Sequence, residues 1–413
     1  ELFVLDKTFK KGFLIADIKL EFDTEGKIKD NYIINGLIKN TKFSFLKNYN
    51  FQNLDLVFEY KKDNLLLSDV SFSLNDLNFL SEYISLKKIK DNFLIKGNIN
   101  HKLLNIDKDN YSLFIKPFLP KFEFKKLRLS SNNDFSFRIS KNLKVNDFVV
   151  ESKLSVNEFT VLNSFNLTSF LPNIKENLSF LDHQLLIKYS KETLYIDGKG
   201  NILLQDKNDT FTYSLKEKDK IYNFKTSLKI NDNPFKIDFL NFEKDDALIE
   251  LEGYKNNKNE INIKFFSIKE KNKKIRLNDL TFNNKFEIIK LNSFFLDYKD
   301  KEDKKNRLKL YPVENKYILN GPSFNVNSLI NDLLFEDKNS NFFKINTKIE
   351  IDNDKIFLDS EYNLSDLEGD IVFKDKEISK ANLNGNFSKD KKLKFTLNTK
   401  NKNKFTTLYV DKA

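Results

Sequence analysis

Apolar side chains recur at every second residue through much of this chain, and the runs are broken by short clusters of Lys, Asn and Asp. Alternation at period two places the apolar residues of a segment on one face of a β-strand and the polar ones on the other. Ile345, Thr347, Ile349 and Ile351 make one such face, and Ile356, Leu358, Ser360 and Tyr362 make another after a hinge at Asp352 to Lys355. Val70, Phe72 and Leu74 repeat the pattern, as do Ile261, Ile263 and Phe265, and Leu393, Phe395 and Leu397. Further polar hinges stand at Lys255 to Glu260, Glu270 to Lys274, Asp300 to Asn306, Lys374 to Glu377, Ser388 to Lys392 and Asn401 to Lys404. Strands separated in this rhythm read as consecutive antiparallel hairpins. The fold class is therefore all-β: an elongated antiparallel meander, apolar on one face and wet on the other, with a few short helices; if the sheet folds along its length into a half-pipe, its concave side becomes a groove.

Composition says how such turns are made. The 413 residues include 42 Phe and 15 Tyr but only 10 Gly and 6 Pro, so Asn and Asp must supply the left-handed backbone that hairpins need. Seven of the ten glycines follow an Ile or Leu and one polar residue: Gly36, Gly97, Gly198, Gly253, Gly321, Gly369 and Gly385. On a strand each shares the apolar face with the aliphatic residue two before it, so that face carries recurrent notches. A notch serves a bend, a close backbone approach, or a guest that is not protein. Their spacing follows no fixed period, which argues against a regular solenoid or propeller.

Two stretches keep helical spacing instead. Val326, Leu329, Ile330, Leu333 and Leu334 predict an amphipathic helix, and Leu167, Phe170, Leu171, Ile174, Leu178 and Leu181 predict two short helices around Pro172. The chain divides into residues 1–157, an N-terminal β-meander; residues 158–316, opening with those short helices; and residues 317–413. All three are expected to belong to one continuous sheet.

The net charge of +10 comes from 70 basic residues interleaved with 60 acidic ones, the pattern of a solvated surface. Only Arg128, Arg138, Arg276 and Arg307 could offer bidentate recognition, which disfavours nucleic acid. With no Cys there are no disulfides, a state that fits either a reducing cytosol or an envelope compartment. No window approaches a membrane-spanning helix, and the start lacks both Met and a signal pattern, so the chain reads as a piece of a longer protein. The chemical inventory is poor. His101 and His183 are the only histidines and read as surface or turn residues; no phosphate loop occurs, and no cofactor or metal is expected. Paired carboxylates for an enzyme acting on polysaccharide are not indicated by any motif.

What remains is an apolar floor. Ile263, Phe265, Ile349, Ile351, Ile356, Leu358, Leu393, Phe395 and Leu397 are the residues expected to line it, with the glycines widening it for acyl chains. A charge placed there, as in Ile349→Asp or Phe395→Asp, should obstruct it.

The order Leu319-Asn320-Gly321, Val326 to Leu334, Lys344 to Ile351, Lys355 to Tyr362, Leu367-Glu368-Gly369, Leu383-Asn384-Gly385-Asn386-Phe387 and Leu408-Tyr409-Val410-Asp411 resembles the C-terminal region of the bacterial AsmA-like family, in its large YhdP and TamB-like branch. Residues 1–316 are similar in style. The resemblance implies an elongated β-sheet folded over into a hydrophobic groove (a β-taco), the form of a bridge-like lipid transfer protein of a Gram-negative cell, held in the inner membrane by an N-terminal helix absent from this chain. It would project into the periplasm and carry phospholipid, or another acyl-chain lipid, toward the outer membrane without enzymatic activity. The alternative is a structural or adhesive envelope protein whose apolar faces pack on each other and hold no cargo.

Overall fold

The structure, a computed structural model, describes residues 9–46, 49–106, 110–112, 124–142, 144–164, 166–271, 273–285, 287–328, 346–359, 361–374, 377–388, 391–400 and 403–411. It is almost all β: pairing gathers 23 strands into one sheet that does not close into a barrel, with a separate two-stranded ribbon. The chain divides into two units. The first holds Glu1–Asn163, Glu176–Ile202 and Lys216–Asp219, and the second holds Ser164–Lys175, Leu203–Leu215 and Lys220–Ala413.

In the first unit the strands are β1 (Phe9–Lys19), β2 (Ile33–Leu46), β3 (Tyr49–Lys61), β4 (Asn64–Leu74) and β5 (Leu77–Ile89). They are followed by β6 (Asn92–Ile106), β7 (Phe124–Ser140), β8 (Val145–Leu162), β9 (Asn177–Ser190) and β10 (Thr193–Leu203). Each strand from β1 to β9 pairs antiparallel with its sequence neighbour.

The second unit contains β11 (Asp209–Lys218, its last three residues in the first unit), β12 (Ile221–Ile230) and the ribbon β13 (Phe235–Ile237) and β14 (Phe242–Lys244), joined by a 3-10 turn at Asp238–Leu240. Then come β15 (Ala247–Lys255), β16 (Ile261–Glu270), β17 (Lys273–Phe282), β18 (Ile288–Lys299) and β19 (Lys305–Val313). The unit ends with β20 (Lys316–Asn325), β21 (Thr347–Phe357), β22 (Asn363–Lys374), β23 (Glu377–Ser388), β24 (Lys391–Lys400) and β25 (Asn403–Val410). β12 pairs directly with β15, so the ribbon is an insertion into a hairpin. One pair breaks the meander: β20 and β21 run parallel and so are not joined as a hairpin. No division falls at residues 316 and 317, where β19 and β20 form a hairpin.

Asn and Asp make the turns in two ways. At Lys62–Asp63, Asn75–Asp76 and Asp219–Lys220 both central residues have positive φ, the requirement of a two-residue turn that matches strand twist. Longer turns repeat one device. The Asn256 carboxamide oxygen accepts the backbone N–H groups of Lys258 and Glu260 at 2.9 and 3.0 Å, and Asn283 does the same for Lys285 and Glu287, both at 2.9 Å. Asp23 and Asp300 close their turns with the same spacing. Left-handed Asn and Asp also stand inside strands, as at Asn40, Asn53 and Asp69, where they coincide with register shifts and so mark bulges. The N–H freed at Asn40 is taken up by the Asp55 carboxylate across the ladder, at 2.7 Å.

Two expectations change, and a third falls largely outside the described residues. Asp352 to Lys355 is not a hinge but the interior of β21; Asp354 and Lys355 are both exposed, which slips the alternation so that Asn353 and Ile356 are both buried. The opposing strand is irregular at the same level, with Asp366 left-handed. Leu167 to Ile174 forms tight turns, with Phe170 and Ile174 each donating three residues back, and Leu178 and Leu181 belong to β9. The apparent helical period came from a turn that buries Leu171, followed by a strand, with Pro172 preventing continuation. The helix expected over Val326 to Leu334 lies outside the described residues from 329 onward.

Candidate functional site

Residues paired across a ladder project from the same face of the sheet. In the second unit the register lines apolar residues up from strand to strand without a break. From Leu251 the row passes through Phe266, Leu277, Phe294 and Leu310. It continues through Leu319, Ile351, Gly369, Leu383, Phe395 and Leu408. With neighbouring strands about 4.8 Å apart, this row runs roughly 50 Å across β15 to β25. The next residue on each strand lies on the other face, and there the row reads Glu250, Ser267, Arg276, Phe295, Lys309 and Asn320, then Asp352, Glu368, Asn384 and Lys394. One face is thus an apolar lane, and this row on the other is polar apart from Phe295.

The lane has one packed margin. Ile249, Ile268, Ile275, Leu296 and Leu308 form a second row beside the first, and the last four of these are at most 4% exposed. The inserted ribbon packs on this face at the end of β18. Phe242 lies edge-on to Tyr298 at 5.3 Å, and the Tyr298 hydroxyl donates to the Leu240 carbonyl. The remainder of the lane is half-buried, apart from a packed cluster at Leu291, Leu310 and Ile349 and the exposed Leu408 at its far end.

Six of the nine expected lining residues fall in this lane. Ile351 and Phe395 are in the long row; Leu393 and Leu397 flank Phe395; Ile349 belongs to the packed cluster; and Ile263 pairs with Leu280, which packs against that cluster. Phe265 is placed elsewhere. A bulge at Lys264 separates it from Ile263, so Phe266 takes the row while Phe265 lies on the polar face with the Arg276 guanidinium 4.8 Å from its ring centre. Ile356, 3% exposed, is paired between Phe324 and Leu364, and Leu358 belongs to the turn after β21. Phe266, Leu277, Phe294 and Leu319 are floor residues that period two alone did not single out.

The glycines sit in these rows, yet their gaps are occupied. A Cβ on Gly36 would come within 2.5 Å of the Phe58 ring, and one on Gly253 within 2.9 Å of the Phe224 ring. Neighbouring backbone crowds both of these as well as Gly97, Gly321 and Gly369, Gly198 is buried, and at Gly385 a side-chain methyl, Leu367 Cδ1 at 3.3 Å, sets the limit.

The first unit repeats the arrangement. A row runs Ala16, Gly36, Phe58, Leu67, Ile84 and Gly97, then Phe135, Val150 and Tyr189. Beside it run Ile18, Ile34, Tyr60, Leu65, Leu86, Ile95 and Phe137. One margin is packed by Leu77, Leu104, Leu127, Leu129 and Val156. Depressions of about 610 and 410 Å³ lie among polar groups of this unit, bordered by Glu82, Asn100 and Lys102 and by Lys153, Ser155 and Gln184.

Both histidines belong to strands of the first unit, not to turns or open surface. His183 is 1% exposed beneath Gly200, whose missing side chain makes room for the ring, and its Nε2 donates to the Asn201 carbonyl at 2.9 Å. His101 stacks edge-on against Phe79 at 4.3 Å, and its Nδ1 donates to the Asn78 carbonyl at 3.0 Å. Burial disfavours the charged ring and holds both below the ordinary histidine pKa. Folding therefore favours the neutral form, and the stability these rings contribute is full above their unfolded pKa and falls as pH drops through the folded one. Hydrogen exchange at pH 7.5 and pH 5.5, corrected for intrinsic rates, should show β6, β9 and β10 losing protection on acidification. Equal protection at both pH values would contradict this account.

Among the described residues no three of His, Asp and Glu converge as metal ligands, and no helix is long and apolar enough to cross a membrane. No family model, curated protein or solved structure matches the chain.

Proposed function

We propose that this chain is a non-enzymatic lipid carrier in which acyl chains of phospholipid lie along the apolar lanes while head groups stay at the wet margin. The observation that carries the reading is the unbroken apolar row in each unit, half-buried along most of its length and backed by a polar face. Burying apolar surface is worth roughly 25 cal/mol per Å², so a lane tens of ångströms long favours a matching apolar guest. A bilayer's hydrocarbon core is about 30 Å thick, so the row in the second unit exceeds the length of a single acyl chain and suits chains that slide over it. The resemblance to AsmA-like proteins supplies the setting: a periplasmic protein, anchored in the inner membrane in its full-length form, passing phospholipid toward the outer membrane.

The rings over Gly36 and Gly253 favour a second reading, a scaffold whose face is closed by its own side chains. Native mass spectrometry and lipid extraction of the purified chain separate the two. The carrier is expected to retain phospholipid in amounts that rise with added lipid; a chain that stays lipid-free in the presence of excess phospholipid is a scaffold.

A further inference from the structure

Consecutive hairpins of a meander turn back at alternate margins, so in the first unit the tips joining β5 to β6, β7 to β8 and β9 to β10 share one margin. That margin differs from the other. The opposite one is packed by Leu77, Leu104, Leu127 and Leu129. At the shared tips Phe93, Val145, Phe148 and Tyr189 are 39–53% exposed and project from one face, while Ile89 and Val149 are exposed on the other. Isolated exposed apolar residues are ordinary, but a contiguous set along one margin marks a contact surface. Phe148 and Tyr189 touch, their ring centres 6.0 Å apart, although they lie on different hairpins.

Charge narrows the occupant. Residues 87–93, 138–149 and 188–193 hold eight basic side chains and three acidic ones, so these three tips are net positive where the chain elsewhere mixes signs nearly evenly. Lys87, Lys90, Lys144 and Lys191 take no part in the ion pairs of the described residues, and the pairs formed by Lys88 with Asp63 and Lys141 with Asp91 are solvent-exposed and weak. Lysines interleaved with protruding aliphatic and aromatic residues match an interface where phosphate groups lie above hydrocarbon.

We propose that this hairpin margin docks on the surface of an anionic lipid bilayer. Tyr189 also ends the apolar row of this unit, but the lysines substituted below lie outside the lanes, so loss of flotation with co-purified lipid retained separates this contact from the carrier reading. The chain lacks Trp, which makes Phe148→Trp a single-fluorophore reporter. Vesicles of phosphatidylcholine, and of equal parts phosphatidylcholine and phosphatidylglycerol, are floated with the full chain at low and high salt. Flotation with the anionic vesicles alone is expected, weakened by salt and accompanied by a blue shift in the emission of the introduced indole. The variant Lys87→Glu, Lys90→Glu, Lys144→Glu, Lys191→Glu should lose at least tenfold in vesicle affinity while keeping its melting temperature and any co-purified lipid. Equal flotation with both vesicle types, no blue shift, undiminished binding by the variant, or binding to polyglutamate but not to vesicles would each overturn the proposal, the last in favour of an acidic protein partner.

Discussion

Gly369→Ala should destabilise the second unit by roughly 2–4 kcal/mol, while Gly385→Ala, one strand away, should change it by no more than about 0.5 kcal/mol. Gly369 holds φ at +150°, where a side chain is strained whatever space surrounds it, and a Cβ there would run into the Asn382 carbonyl of β23. Neither obstacle can move without opening the ladder between β22 and β23. Gly385 has ordinary φ, and its nearest neighbour is the end of the Leu367 side chain at 3.3 Å, which can turn aside. Both residues belong to the same unit, so the shift in urea midpoint can be compared directly. Equal effects would mean that the glycines share one role as gaps in the floor; the expected inequality makes Gly369 a backbone requirement imposed by its bulged neighbours.

The pair also shows how far the sequence could be read. Alternation exposed the strands because period two is a local property, and Leu393, Phe395 and Leu397 needed only their own strand to be placed on one face. The polar hinges were equally legible at Lys255 to Glu260 and Asp300 to Asn306, where an Asn or Asp folds its own turn. Bulges were not. Lys264, Asp279 and Asp366 each shift the phase of a strand by one residue, and nothing in their neighbours separates a bulge Asp from a turn Asp. That is why Phe265 was assigned to the floor in place of Phe266, and why Asp352 to Lys355 read as a hinge. Register is a property of two strands together. The row from Leu251 to Leu408 exists only once each strand has been set against the next, so most of its members could not be found one segment at a time. The buried site of His183 was hidden for the same reason, since the glycine that admits its ring is Gly200 on the adjoining strand.

Phe395→Asp should reduce phospholipid retained by the purified chain at least tenfold, equivalent to about 1.4 kcal/mol or more of lost binding, while Lys394→Asp leaves retention unchanged. The two residues are neighbours on β24 but face opposite ways: Phe395 pairs with Leu383 and Leu408 in the apolar row, and Lys394 pairs with Asn384 and Tyr409 on the polar face. Each substitution introduces the same carboxylate at the same height in the sheet, and Lys394→Asp changes the charge by two units against one for Phe395→Asp, so added negative charge cannot by itself explain a loss confined to Phe395→Asp. A carboxylate in the lane needs water, and hydrocarbon passing over it would have to strip that water away, a cost the polar face never meets. Phe395 is half-buried, so the fold should survive the change, which a melting curve checks. Ile349→Asp would be a poorer probe. Ile349 is 8% exposed and packs with Leu291 and Leu310, so its loss would unfold the cluster before it interrupted any cargo. If Phe395→Asp and Lys394→Asp both retain lipid at the wild-type level, the lane is not where lipid binds, and the carrier reading loses its structural basis.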